Sequence, residues 1–126
     1  MSKFFSSLCF FVFFFCYEKT ASAQDCTIVH EGKFKYGTAK EEVSVEIKGK
    51  DHKELHNKGK YFIKSTIEWL SSCEYNMTMV EVTIPNFPYG PGDVMNVKIT
   101  KIIDKEIFYT SNVKGVSWEG KLIKVE

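Results

Sequence analysis

Apolar and polar residues alternate with a period of two along most of the chain after residue 24. Val43, Val45 and Ile47 alternate with Ser44, Glu46 and Lys48, and Ile63, Ser65, Ile67 and Trp69 with Lys64, Thr66 and Glu68. Tyr75, Met77 and Met79 alternate with Glu74, Asn76 and Thr78, and Met95, Val97 and Ile99 with Asn96, Lys98 and Thr100. Side chains two apart on a strand share a face. Each run therefore predicts a strand with one wet and one dry side, as in an antiparallel sheet packed on one face. No convincing helical stripe competes with this period.

Turn residues punctuate the runs. Gly37-Thr38-Ala39-Lys40 closes a first strand over Gly32 to Tyr36, and Gly49-Lys50-Asp51 closes the second. His52 to His56 reads as a weaker third strand, and Asn57-Lys58-Gly59-Lys60 leads into a long strand ending near Leu70. Ser71-Ser72, Asp104-Lys105 and Lys114-Gly115 are further tight turns, the last before Val116 to Val125. Seven or eight short strands with tight connections make an all-β, antiparallel up-and-down meander. Left flat, it would wet its apolar face. Curled into a small barrel, broadly lipocalin-like in architecture, it buries that face and most of its edge. A β-sandwich is the alternative. Parity then places Trp69 and Trp118 in the core, mostly buried, beside Ile67, Tyr75, Met77, Val97 and Ile99.

One long connection interrupts the pattern. Pro85-Asn86-Phe87-Pro88-Tyr89-Gly90-Pro91-Gly92-Asp93 holds all three prolines of the chain. Proline lacks the donor that a sheet ladder needs, so this is a loop at one end of the sheet. Phe87 and Tyr89 either cap the core or contact a ligand there.

Residues 1–23 stand apart. Lys3 precedes an apolar run from Phe4 to Cys16, and a polar segment leads to Ala21-Ser22-Ala23. This is the order of a secretory signal peptide, too short for a span of about 20 apolar residues. Cleavage before Gln24 is expected, leaving residues 24–126 as a single β-rich domain with no lasting membrane anchor. Neither Cys16 nor Cys26 follows the small residues that a lipoprotein signal needs. The expected location is the periplasm or the exterior.

Cysteine use agrees with export. Cys9 and Cys16 leave with the leader, and Cys26 and Cys73 remain as one possible pair. In an oxidising compartment they should form a disulfide; two buried free thiols are the alternative.

The charge balance removes one partner class. Lys3, Lys19 and Glu18 leave with the leader, so the mature chain carries equal numbers of both signs, and no Arg occurs anywhere. Phosphate tracking wants a basic excess and base reading favours the Arg fork, so nucleic acid is not an expected partner.

Chemistry-bearing patterns are few. His52-Lys53-Glu54-Leu55-His56 lacks the Glu that a zinc-protease helix places directly after its first His. On a strand, His52, Glu54 and His56 share a face and could form a two-His, one-carboxylate metal set. Same-face neighbours lie roughly 6.5–7 Å apart, a long reach to one ion, so a solvated polar strand is the expected reading. His30-Glu31 has no nucleophile beside it, and no Gly-x-Ser-x-Gly elbow or phosphate-cradling loop is present. Asn76-Met77-Thr78 matches a glycosylation sequon, which matters only in a eukaryotic source. Nine aromatics, Phe34, Tyr36, Tyr61, Phe62, Trp69, Tyr75, Phe108, Tyr109 and Trp118, would line a cavity or fill the interior.

Several short motifs together resemble a group of small exported β-rich proteins of Bacteroidetes, flavobacteria among them. They are Cys26 before Gly32-Lys33-Phe34-Lys35-Tyr36, then Ile67-Glu68-Trp69, Cys73-Glu74-Tyr75 and the closing Gly120-Lys121-Leu122-Ile123-Lys124. The resemblance covers most of residues 26–125. That group has no established activity. Some members carry a DNA topoisomerase label, against which the length and Arg-free composition of this chain argue. Many members are lipoproteins, and this chain departs from that.

The reading that results is an exported, non-enzymatic β-barrel of undefined function that needs no cofactor. It would bind a small apolar or amphipathic ligand, or a protein partner, with Phe87, Tyr89, Trp69 and Trp118 as candidate contacts. The alternative is a metal-binding protein or enzyme using His52, Glu54 and His56.

Overall fold

Eight strands follow one another: β1 (Glu31–Gly37), β2 (Glu42–Lys48), β3 (Asp51–His56), β4 (Tyr61–Ser71), β5 (Glu74–Val82), β6 (Val94–Ile103), β7 (Glu106–Val113) and β8 (Val116–Lys124). The computed structural model describes residues 24–126, and the leader expected over residues 1–23 lies outside the described residues. Each strand pairs antiparallel with the next, and β8 returns to β1, so the sheet is a closed barrel in chain order. The expected barrel is thus the fold, and the sandwich is not.

Alternation decides which side faces in. Along β2, Val43, Val45 and Ile47 are buried while the residues between them are exposed. The same parity buries Ile63, Ser65 and Ile67 on β4 and Tyr75, Met77 and Met79 on β5, and leaves Lys64, Thr66 and Glu68 in water. Short turns fix the register. Lys114 and Gly115 both have positive φ (50° and 85°), as a two-residue hairpin demands of the right-handed strand twist.

The β1–β8 seam is short: only Phe34 with Lys124 and Lys35 with Ile123 are paired residues. Lys33 extends it, donating its N–H to the Glu126 carbonyl at 2.9 Å and accepting from Val125 at 2.8 Å. Gly32 makes this possible. Its φ is +140°, and a Cβ there would sit 2.6 Å from the Glu126 carbonyl oxygen.

One end of the barrel is plugged. A 3-10 turn, Thr27–Val29, precedes β1 and drives Val29 into the core, where Val29 and Cys26 are fully buried. Cys26 is disulfide-bonded to Cys73 at the β4–β5 turn, across 47 residues of chain. His30 Nε2 donates to the Ser72 carbonyl at 2.9 Å, and its ring stacks on Trp69 at 3.7 Å between centroids.

The other end carries the β1–β2, β3–β4 and β7–β8 turns and the long β5–β6 loop. Asp93 anchors that loop: Oδ2 accepts from the Gly90 N–H at 2.9 Å, and Oδ1 pairs with Lys114 at 3.0 Å.

Two expectations about the core need correction. Trp69 faces inward but is only half-buried, and Trp118 is 37% exposed. Both sit within a few residues of a turn, so parity points each ring inward while the barrel rim leaves one edge wet. The nine aromatics also divide. Phe62 lies outside under Lys53 and Lys64, and Phe108 outside under Lys101 and Lys121, an arrangement in which lysine stems shield exposed rings.

Candidate functional site

β3 is the least apolar strand by sequence, yet its inward face is buried. The barrel wall forces this. β2 pairs Ile47 with His52 and Val45 with Glu54, and β4 pairs Ser65 with His52 and Ile63 with Glu54. The strong alternation of the two neighbours sets the pleat, so His52, Glu54 and His56 turn inward together. The expectation of a solvated strand is therefore corrected: His52 is 4% exposed, and the side chains of Glu54 and His56 are mostly covered.

Glu54 is the centre of the arrangement. Tyr36 donates its hydroxyl to Oε1 at 2.6 Å, and His56 Nε2 lies 3.1 Å from the same oxygen. Burial pushes the Glu54 pKa up, but the His56 hydrogen bond, the nearby His52, the Tyr36 hydrogen bond and the nearby His56 outweigh it. The carboxyl is held below its ordinary value and stays ionised. Both hydrogen bonds converge on Oε1, and no described residue donates to Oε2.

The groups around Glu54 respond to it. Burial, then the Glu54 charge and hydrogen bond, hold the Tyr36 phenol well above its ordinary value. Burial raises Tyr75 and Tyr109 too, with the Glu54 charge adding to each. His52 moves the other way: desolvation lowers its pKa, the Glu54 charge opposing, so the ring is neutral near pH 7.

A partly open cavity of about 100 Å³ lies among these residues inside the barrel. Its walls include Tyr36, His52, Glu54, Tyr109, Ser111 and Trp118, with Tyr75, Met77, Met95 and Val97 completing the apolar side. Two of the polar atoms that are buried here, His52 Nδ1 and Ser111 Oγ, have no hydrogen-bond partner. Ser111 is 2% exposed and pairs across the ladder with Trp118. Gly120 leaves room for this arrangement: it faces Tyr109, whose hydroxyl would overlap any Cβ at that position.

A second, larger space opens at the end that carries the β1–β2 and β3–β4 turns. The cleft between the β1–β2 and β3–β4 turns measures about 1030 Å³ and is lined by Tyr36 to Ser44 and Leu55 to Gly59. Tyr36 lines both spaces. His56 lines the cleft while reaching Glu54, so the two residues that hold the carboxylate stand between cleft and cavity.

The expected site residues disperse differently. Trp118, His52 and Glu54 meet at the cavity. Trp69 lies at the plugged end against His30. Phe87 and Tyr89 pack edge to face at 6.0 Å and line neither space. Among the described residues no group of three His, Cys, Asp or Glu side chains is placed to hold a metal ion, and His56 Nε2 is directed at Glu54 instead. Ser111 was not among the expected site residues. Its signal was present in the pattern: Ile107, Tyr109, Ser111 and Val113 share inward parity on β7, and a hydroxyl interrupts them.

Comparison with protein families, curated proteins and solved structures gives no match to this chain. Its chemistry is read from the geometry alone. Within the described residues no helix is long and apolar enough to cross a membrane.

Proposed function

We propose that this protein is an exported binding module whose barrel interior takes a small amphipathic ligand through the end carrying the β1–β2 and β3–β4 turns. The observation that carries this is the pair of unpartnered buried atoms, His52 Nδ1 and Ser111 Oγ, on one cavity. A buried polar group without a partner costs roughly 1–3 kcal/mol. A protein selected only for stability would fill these positions with aliphatic side chains, as it does at Val45 and Ile107. A ligand that hydrogen-bonds them removes the cost. The surrounding wall of Met, Val and aromatic side chains suits the carbon body of such a molecule.

Catalysis is the weaker reading. A Ser–His nucleophile pair needs hydrogen-bond contact between the two side chains, whereas His52 Nδ1 and Ser111 Oγ each lack any partner. The disulfide and the leader pattern support an oxidising, extracytoplasmic location.

The test uses Trp118 as a reporter. The chain has two tryptophans, so Trp69→Phe leaves Trp118 alone at the cavity. Small amphipathic compounds should change Trp118 emission saturably, and chemical shifts should move at Tyr36, His52, Tyr109 and Ser111. Shifts confined to the outer surface of the barrel would refute an interior site.

A further inference from the structure

Resting on the binding-module reading above, we infer that the ligand is a small protonated primary amine, its ammonium group facing Glu54 and its carbon body packed among Tyr36, Tyr75, Tyr109 and Trp118.

Charge gives the first argument. Of the acidic and basic side chains, the cavity is lined by His52 and Glu54 alone, and no lysine reaches it. His52 is neutral near pH 7. The Glu54 carboxylate thus faces a low-dielectric space in which an anion would be repelled and a cation attracted. His56, which also lines the cleft, and Tyr36 both hydrogen-bond Glu54 Oε1, and no described residue donates to Oε2.

Hydrogen-bond valence gives the second. Glu54 Oε2 can only accept. His52 Nδ1 accepts when Nε2 holds the ring proton, and Ser111 Oγ has two lone pairs. The cavity therefore offers acceptors that N–H donors satisfy, with Glu54 Oε2 an acceptor in every state and Ser111 able to turn its O–H aside. A quaternary ammonium has none. A metal ion would need ligands clustered around one point, and that cluster does not form among the described residues.

Size and wall chemistry give the third. A space of about 100 Å³ holds several waters and admits an ammonium with a short carbon chain. Aromatic side chains on the remaining wall stabilise a cation through their ring quadrupoles as well as packing on its methylenes.

The experiment compares isosteres at pH 7.5 with the full mature chain carrying Trp69→Phe, read by Trp118 emission and by calorimetry. The probes are n-propylammonium, 1-propanol, propionate and tetramethylammonium. The expected result is saturable binding of n-propylammonium at least tenfold tighter than 1-propanol or tetramethylammonium, with no binding of propionate. Glu54→Gln should remove that preference, bringing n-propylammonium to the level of 1-propanol. Should Glu54→Gln fail to fold, the wild-type series decides alone. If 1-propanol or propionate binds as tightly as n-propylammonium, the charge inference falls and the binding module stands. If tetramethylammonium matches n-propylammonium, the N–H requirement falls and with it the primary amine. If no small molecule from a broad library perturbs Trp118 or the cavity resonances, the binding-module reading falls as well.

Discussion

The two ends of the barrel solve opposite problems with the same wall. At the plugged end, Cys26, Val29, Phe34, Ile47, Ile67 and Ile107 are buried with little or no accessible surface. The disulfide ties this end across 47 residues, and His30 spends its ring nitrogen on a backbone carbonyl. Around the cavity, inward positions carry His52, Glu54, Ser111, Tyr36 and Tyr109, and two polar atoms stay unpartnered. One half concentrates apolar burial; the other gives up part of it to hold polar groups out of water. Such a division is what a binding barrel requires, because a cavity is tolerable only where the rest of the core can carry its cost.

The contrast can be broken first at the plugged end. Phe34→Ala removes a fully buried ring from the core cluster. A loss of roughly 3–5 kcal/mol is expected, the range for truncating a large core aromatic. Chemical denaturation of the mature chain measures it. A loss below about 1 kcal/mol would mean that the core cluster does not carry the fold.

Next in size is the disulfide. Joining Cys26 to Cys73 shortens the accessible ensemble of the unfolded chain, and the chain-entropy account gives roughly 4 kcal/mol for a loop of this order. Cys26→Ala with Cys73→Ala should lower the melting temperature clearly, and more than it weakens any ligand. If the double variant loses ligand binding while keeping its melting temperature, the two ends are not the separate units described here.

How much of this was legible in the chain follows from the same contrast. The strong alternations of β2, β4, β5 and β6 gave strand, face and turn together, because each contains three or more apolar residues of one parity. The quoted motifs proved to be barrel hardware: Gly32 admits the returning C-terminus, Gly120 admits Tyr109, and Cys26 meets Cys73. The site was harder to see. β3 has no apolar face of its own, so its orientation was set by Val45, Ile47 and Ile63 on its neighbours. Pairing across strands, and not the local pattern, turned His52 and Glu54 inward. Phe87 and Tyr89 sit on a Pro-rich aromatic loop that stands out locally; Asp93 and Lys114 hold that loop against the β7–β8 turn, and neither ring lines the cavity or the cleft.

A third expectation concerns pH and isolates the cavity half. Burial holds His52 below its ordinary value of 6.5. The unfolded chain therefore takes up a proton near that value while the folded chain does not. Stability is full above about pH 6.5 and falls as the pH drops below it, by at most about 1.4 kcal/mol per pH unit for one group. The Glu54 contribution lies lower: its folded pKa is depressed, so it is present above 4.5 and lost only as pH falls through the folded value. His52→Leu should flatten the profile between pH 7 and 5 and leave the decline below pH 4.5. An unchanged slope between pH 7 and 5 would show that His52 is not the neutral, desolvated group described above.

The smallest effect separates the two halves most sharply, because its sign is reversed. Ser111 Oγ is buried at the cavity with no protein partner, so a hydroxyl taken out of bulk water gains no protein hydrogen bond in return. Ser111→Ala removes that hydroxyl and keeps the Cβ against Trp118. In the ligand-free protein it should raise stability by about 1 kcal/mol, the low end of the cost of an unsatisfied buried group. The same change made in an ordinary satisfied core would do the opposite. Binding of n-propylammonium should weaken at once, since an acceptor is lost. A gain in stability with a loss of affinity is the signature of a residue kept for its ligand. A variant that loses stability would place Ser111 with the plugged end, as part of the scaffold.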